Sequence, residues 1–417
     1  MGARLVIEGI AELPLHDGRV PEYLLKRMKA LGSLIAKFII EEYGPDELIT
    51  RLADPFWFQA FNNVIGMDWD SSGATTVVLY VLKSAFPPSE ARVNEVAVLG
   101  GKGSDARMVP SEAMLVGDIV DPGELVTTSR LAARVDSTAL QDGYSLYIHG
   151  VVVSSSGRVL VVQQGMNVAR RIARRYHVLV EKPGVFSVDR DPHSGVASQR
   201  VSPALNLVAE ESSKARQAIL EIASSTPTNS LLQDLYKVNR ALKRVASLEA
   251  YASTLREQLV LEELRVPGEK LKKCPFFYRP VVDVKRVEAV AEAIKQAAPR
   301  SFSELLLVQG LGPEALRAIA LVADLVYGYE PSFRDPTTHF LEPYLYAYAH
   351  GGKDGVPYRV KPRNMDKTIE FFAQVLSEIR AGSAEKRAML QRLARFASKY
   401  KSLLGESAEN FDSLLRR

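Results

Sequence analysis

The spacing of hydrophobic residues along the chain changes near residue 140 and again near residue 204. Before residue 140, apolar side chains recur three and four positions apart, as over 19–43 and 127–140, and this spacing predicts amphipathic helices. Residues 144–153 and 158–164 are instead rich in β-branched and aromatic side chains. The Ser154–Gly157 segment that separates them has turn composition, so the sequence predicts a β-hairpin here.

Two further elements are predicted beside this hairpin. Residues 95–99 have the composition of a short strand, and residues 167–175 return to helical spacing. After residue 204 the helical pattern dominates, with helices predicted over 209–224, 231–264, 284–297, 366–381 and 384–404. The predicted fold class is therefore α+β. We expect an N-terminal α/β domain with a central β-hairpin or small sheet (1–205), a helical connector (206–280) and a mostly α-helical C-terminal domain (281–417).

Residues 301–328 contain a capped helix, a glycine turn and a second helix. Ser301 and Glu304 form a capping-box pattern, and Gly310 and Gly312 allow a close approach of another molecule. The second helix begins at Pro313, and free amides at such a helix end suit a phosphate. The pattern resembles the helix-hairpin-helix motif, which grips the nucleic-acid backbone without reading sequence. An ordinary helical hairpin fits the same residues.

Charge is distributed unevenly along the chain. The net charge is only +4, yet residues 361–417 carry five more basic than acidic side chains. A basic end beside a phosphate-binding turn predicts nucleic acid as a partner, although a solvated basic helix face gives the same count. The single cysteine, Cys274, excludes internal disulfides and multi-cysteine zinc sites. We expect a cytoplasmic protein, because no apolar run is long enough to span a membrane.

Polar side chains are concentrated around the predicted hairpin. Carboxylates that hold Mg²⁺ or Mn²⁺, beside histidines and arginines, are the groups that a metal-dependent phosphodiesterase needs. The candidate catalytic residues are Asp142, His149, Gln164, Arg175 and His177, and the candidate metal ligands are Asp68, Asp70, Asp136 and Asp142. In the alternative interpretation, Asp142-Gly143 is a turn, Asp70 caps a helix and the arginines are solvated.

Several sequence strings extend this picture to most of the chain. They include 9–16 (GIAELPLH), 54–61 (DPFWFQAF), 141–144 (QDGY), 162–167 (VQQGMN), 173–177 (ARRYH) and 349–355 (AHGGKDG). They are similar to a prokaryotic family of unknown function, domain-of-unknown-function family 763. The resemblance implies an archaeal or bacterial cytoplasmic protein, and the hairpin motif implies DNA metabolism.

The sequence thus predicts a DNA-binding protein of DNA repair or processing. We expect a metal-dependent nuclease that acts on structured or partly single-stranded DNA with Mg²⁺ or Mn²⁺. Contacts to the DNA backbone are predicted from Gly310, Gly312, Arg317, Lys353 and Arg174. A non-catalytic nucleic-acid-binding scaffold in repair or replication is the alternative. No membrane contact is expected. The sequence is compatible with a homo-oligomer.

Overall fold

A computed structural model describes residues 20–68, 72–198, 200–251, 268–338, 350–353 and 359–381. The fold is α+β, as the sequence predicts, with a five-stranded antiparallel sheet in the middle of the chain and helices on both sides of it. Asp70, the predicted helix at 384–404 and most of the basic C-terminal segment lie outside the described residues.

The sheet forms around the predicted hairpin. The strands are β1 (Val96–Lys102), β2 (Leu140–Gln141), β3 (Ser145–Ser154), β4 (Val159–Asn167), β5 (Ile172–Val180), β6 (His193–Ser198) and β7 (Leu205–Asn206). The order in the main sheet is β1-β3-β4-β5-β6, while β2 pairs with β7 separately. The predicted strand at 95–99 is confirmed as the first part of β1. Because β1 pairs with β3, the hairpin lies inside the sheet.

The helix predicted over 167–175 is wrong. These residues complete β4, turn at Arg171 with a φ of 56°, and enter β5. Arg174 and Arg175 are adjacent strand positions, so their side chains lie on opposite faces of the sheet, and both are fully buried. Each guanidinium finds acceptors from distant parts of the chain. The burial of two consecutive arginines is a tertiary effect that local residue spacing does not contain.

Fourteen α-helices surround the sheet in the described part of the chain. They are α1 (Glu22–Tyr43), α2 (Pro45–Ala53), α3 (Pro55–Val64), α4 (Gly73–Ala85), α5 (Ala91–Asn94), α6 (Val109–Ala113), α7 (Pro122–Arg134), α8 (Ser213–Ser225), α9 (Thr228–Tyr251), α10 (Gly268–Lys273), α11 (Val284–Ala297), α12 (Phe302–Leu307), α13 (Pro313–Leu325) and α14 (Pro362–Ala381). A five-residue π-helix, Val135–Ala139, continues α7.

The two faces of the sheet have separate cores. Helices α1 to α4 cover the first face, where Val98, Val152 and Val162 join their apolar side chains. Helices α6 and α7 cover the second face over Leu99 and Val161. Alternation of side chains along each strand assigns consecutive residues to different cores.

A third core joins α7 and its π-helix to helices α8 to α13. It contains Leu131 and Leu207 together with Ile219, Ile294 and Leu321. The predicted domain boundaries at 205/206 and 280/281 fall within this apolar cluster. Residues from all three predicted domains therefore pack together.

Residues 331–338 run along the outer edge of the sheet. The amide of Thr338 donates to the carbonyl of Val196 in β6 over 3.0 Å, and Asn206 donates to the carbonyl of Ser332 over 2.9 Å. The edge strand β6 is thus covered at this position. No helix among the described residues is long and apolar enough to cross a membrane.

Candidate functional site

The glycine turn joins α12 to α13 as the sequence predicts. Ser301 Oγ accepts the amide of Glu304 over 3.1 Å, so the predicted N-cap of α12 is present. Gly310 has a φ of 87°, a conformation that residues with a side chain rarely adopt. Gly312 precedes α13 and supplies no side-chain cap, so the first amides of that helix have no side-chain acceptor.

The structure places Arg317 inside the protein and away from the turn. Its guanidinium donates to the carbonyls of Phe277 and Arg279 over 2.9 and 2.7 Å and pairs with Glu314 over 2.7 Å. The side chain is only 1% exposed. Arg317 therefore holds the segment before α11 against α13. The two carbonyls lie about forty residues earlier in the chain, so the sequence gives no sign of these contacts.

Other arginines surround the turn. Arg134 donates to the carbonyl of Leu311 over 2.8 Å, and a Cβ atom on Gly312 would lie 3.6 Å from Nη2 of Arg286. Arg279 pairs with Glu314. Within the described residues, neither Arg134 nor Arg286 forms an ion pair. We call Gln309–Gly312 with Arg134, Arg279 and Arg286 the hairpin surface.

A buried charged network lies on the second face of the sheet. Arg174 in β5 pairs with Asp142 over 2.9 Å and with Asp335 over 2.7 Å, and each of these side chains is at most 2% exposed. Tyr176 donates to the same Asp142 oxygen over 2.7 Å. Burial and the neighbouring Asp142 raise the pKa of Tyr176, so it stays protonated and donates. Arg174 is thus a structural cation between two carboxylates.

A second buried ion pair on this face contains Asp136, which the π-helix places inside the protein. Asp136 accepts from His193 Nε2 over 2.6 Å, and Asp191 accepts from His193 Nδ1 over 2.5 Å. Burial alone would lower the pKa of His193, but the two facing carboxylates raise it to about 10. Burial raises the pKa of Asp136 despite the imidazolium. His193 is not among the residues predicted from the sequence, although the Asp191-Pro192-His193 spacing is a usable signal.

The raised pKa of His193 gives stability a pH dependence of known sign. The pKa of His193 is higher in the folded protein than its unfolded value of 6.5, so the imidazolium stabilises the fold fully below pH 6.5. This contribution is lost as the pH rises to about 10. We expect His193→Gln to lower the free energy of unfolding most near pH 6 and progressively less toward pH 10. Urea titrations across this range measure the difference, and a difference that does not change with pH would contradict the assignment.

His149 connects the same face to α7. Its Nδ1 lies 3.0 Å from Gln163 Oε1, and its Nε2 lies 2.7 Å from Ser129 Oγ. The amide nitrogen of Gln163 donates to Asp136 and to the carbonyl of Ala132. Burial lowers the pKa of His149, and the hydrogen bond with Gln163 opposes this only in part.

The first face of the sheet holds the remaining catalytic candidates. Arg175 donates from Nε to His177 Nε2 over 3.0 Å and from Nη2 to the carbonyl of Pro55 over 3.2 Å. His177 Nδ1 lies 2.9 Å from the carbonyl of Leu52, so this histidine is neutral with its proton on Nδ1. Gln164, opposite Arg175 in the register, bonds to Thr75, Tyr147 and the carbonyl of Ser72. These side chains tie helices α2 to α4 to the sheet.

A model of the family described as "Protein of unknown function (DUF763)" matches residues 9–360. The chain belongs to this family. No curated protein and no solved structure matches it.

In this DUF763 chain, the matched range contains both buried networks and the whole hairpin surface. The basic segment that begins at Lys361 follows the matched range. The match over residues 9–360 confirms the family membership that the sequence strings indicate.

The predicted residues of this DUF763 protein divide between the two faces. Asp136 and Asp142 lie on the second face, whereas Asp68 follows α3 on the first face, 3.8 Å from Lys353 Nζ. Both side chains are buried, so the structure pairs a predicted metal ligand, Asp68, with a predicted DNA-backbone contact, Lys353. Within the described ranges, no three His, Cys, Asp or Glu side chains converge as a metal site. Among the predicted metal ligands, each carboxylate in the described part of the chain faces a cation or an imidazole.

Proposed function

We propose that the protein binds DNA and acts in DNA repair or processing, with the hairpin surface on the sugar-phosphate backbone. The observation that carries the proposal is the set of three arginines around a glycine turn at a helix N-terminus. Backbone amides and guanidinium groups both donate to phosphate oxygens, and neither distinguishes one base from another.

The immediate electrostatics of this surface favour an anion. Partial burial would raise the pKa of Glu314, but Arg317 and Arg279 lower it, so this carboxylate is charged and already paired. Arg286 is exposed and Arg134 is half-buried, and both have guanidinium donors left for a phosphate. The phosphate contact that the sequence predicts for Arg317 is therefore assigned here to Arg286 and Arg134.

We propose further that the protein is a metal-dependent nuclease for structured or partly single-stranded DNA. The π-helix that buries Asp136 supports this proposal, because such helices are frequent at functional sites. Asp136 and Asp142 would hold Mg²⁺ or Mn²⁺, which would polarise the scissile phosphate. In the fold described above, an ion would have to replace His193 or Arg174 as their partner. That pairing favours the alternative, a non-catalytic nucleic-acid-binding scaffold.

Arg286 provides the test of DNA binding. We expect Arg286→Ala to weaken binding about tenfold, since a hydrogen bond from a charged donor is lost, and to reduce the salt slope by about 1. Fluorescence anisotropy with labelled single-stranded, duplex and bubble DNA at several salt concentrations measures both quantities. Arg334→Ala is the matched control, because Arg334 is an exposed arginine outside the hairpin surface. Equal effects of the two variants, or no binding by the wild type, would overturn the proposal.

The same DNAs test the nuclease proposal when Mg²⁺, Mn²⁺ or EDTA is added. Cutting that needs the metal and is lost in Asp136→Asn and Asp142→Asn would support the metal assignment. Salt-sensitive binding without cutting would support the scaffold. Thermal melts of both variants separate the loss of a metal ligand from the loss of the fold.

A further inference from the structure

Ser129, His149 and Gln163 form a hydrogen-bonded chain that lies outside the hairpin surface and the proposed metal ligands. Ser129 Oγ lies 2.7 Å from His149 Nε2, and His149 Nδ1 lies 3.0 Å from Gln163 Oε1. Ser129 belongs to the middle of α7, His149 to β3 and Gln163 to β4. Three separate elements thus place a hydroxyl, an imidazole and an amide in one line.

The direction of each hydrogen bond in this chain is fixed by the last residue. The amide nitrogen of Gln163 donates to Asp136 and to the carbonyl of Ala132, so its Oε1 faces His149 and can only accept. His149 must therefore carry its proton on Nδ1. The lone pair on Nε2 is then free to accept the hydroxyl proton of Ser129. A neutral imidazole with this tautomer, oriented by a fixed acceptor, is the arrangement that activates a serine nucleophile.

A serine in the π-helix that continues α7 shows that this hydrogen bond is particular to Ser129. Ser137 lies just after α7, and its hydroxyl donates to the carbonyl of Ala133 over 2.6 Å, four residues earlier. Such back-bonding is common for serine in helices. Ser129 instead bonds to a histidine on a neighbouring strand. Ser129 is 5% exposed and His149 is half-buried.

We propose that Ser129 is a nucleophile activated by His149, with Gln163 as its positioning residue, in the hydrolysis of an uncharged carboxylic ester. Leu125 and Ala132 share the helix face of Ser129, and Val151 and Val161 share the strand faces of His149 and Gln163. These four side chains are buried in the core of the second face, so the surroundings of the pair are apolar and suit an uncharged acyl group better than a phosphate. The proposal does not depend on DNA binding.

The proposed reaction has two balanced steps. The oxygen of Ser129 bonds to the ester carbonyl carbon while its proton moves to His149 Nε2, and the alcohol leaves with that proton. Water then attacks the acyl-serine, gives a proton to His149 and releases the carboxylic acid, and the proton returns to Ser129.

Phenylmethylsulfonyl fluoride tests the nucleophile without knowledge of the natural ester. Its sulfur bonds to an activated serine oxygen and fluoride leaves. Mass spectrometry of the full chain and its peptides should find one adduct, on Ser129. We expect no adduct in Ser129→Ala, a rate at least about 100-fold lower in His149→Phe, and an unchanged rate in the control Ser137→Ala.

Two measurements protect the test from misfolded variants. The labelling rate of the wild type should fall only at acidic pH, where His149 takes a proton, because its pKa is lowered from 6.5. Gln163→Met should slow labelling and move this pH profile, which a merely structural role would leave in place. No adduct on Ser129 in the native wild type, or labelling that does not depend on pH, would overturn the proposal.

Discussion

Replacement of Arg174 by methionine is expected to lower the free energy of unfolding by about 3–5 kcal/mol. The guanidinium is fully buried and pairs with Asp142 and Asp335, whose side chains are also almost completely buried. Methionine fills a similar volume but leaves two carboxylates in a poorly solvated interior without their cation. Chemical denaturation measures the change.

The matched control for this prediction is Arg334→Met. Arg334 faces Glu211 over 3.6 Å, with both side chains mostly in solvent, so we expect little change in stability. If both variants lose the same amount, the buried network does not hold the sheet together. A larger loss for Arg174→Met would show that this buried network stabilises the second face.

The second large effect is expected at Gly100, a position of β1 that packs directly against the backbone of β3. A Cβ atom on Gly100 would lie 2.3 Å from the carbonyl oxygen of His149 and 2.9 Å from Val109, and its φ is 74°. We expect Gly100→Ala to cost about 2–5 kcal/mol, from a left-handed backbone and an overpacked contact together. Denaturant titration measures the loss of stability.

Gly103 separates these two causes. Its φ is 62°, yet nothing lies within 4 Å of a Cβ atom there, so Gly103→Ala should cost only about 1–2 kcal/mol. Gly100→Ala should also shift the backbone of His149 and slow the sulfonylation of Ser129, whereas Gly103→Ala should not. Equal stability losses in Gly100→Ala and Gly103→Ala would mean that β1 and β3 accommodate the extra methyl group at Gly100 without loss of stability.

The sequence predicts the central hairpin of the sheet, but it does not predict strand β5, which extends the hairpin. The β3–β4 hairpin is predictable because runs of β-branched residues flank a Ser-Gly turn. Strand β5 is not, because Arg174 and Arg175 find their acceptors in Asp335 and Pro55, far away in the chain. Local spacing contains no information on such partners, and the polar run therefore resembles a helix.

The same limit applies to the candidate residues. Polar side chains around β3 to β5 are indeed concentrated, but alternation divides Gln163 from Gln164 and Arg174 from Arg175 between the two faces. Asp136 and His193 meet only because β6 pairs with β5. A capping box is local, so Ser301 was predictable, whereas the approach of Arg286 to Gly312 depends on how α11 packs beside the turn.

The position of Asp335 has a consequence for the order of events during synthesis. Arg174 and Asp335 are 161 residues apart in the chain. At ordinary translation rates, Arg174 leaves the ribosome about 8–30 s before this carboxylate does. During this interval Asp142 is the only one of the two carboxylate partners of Arg174 that has been made, and the edge of β6 is still uncovered. Chaperones that shield strand edges would act in this interval, and arrival of the 331–338 segment would end it.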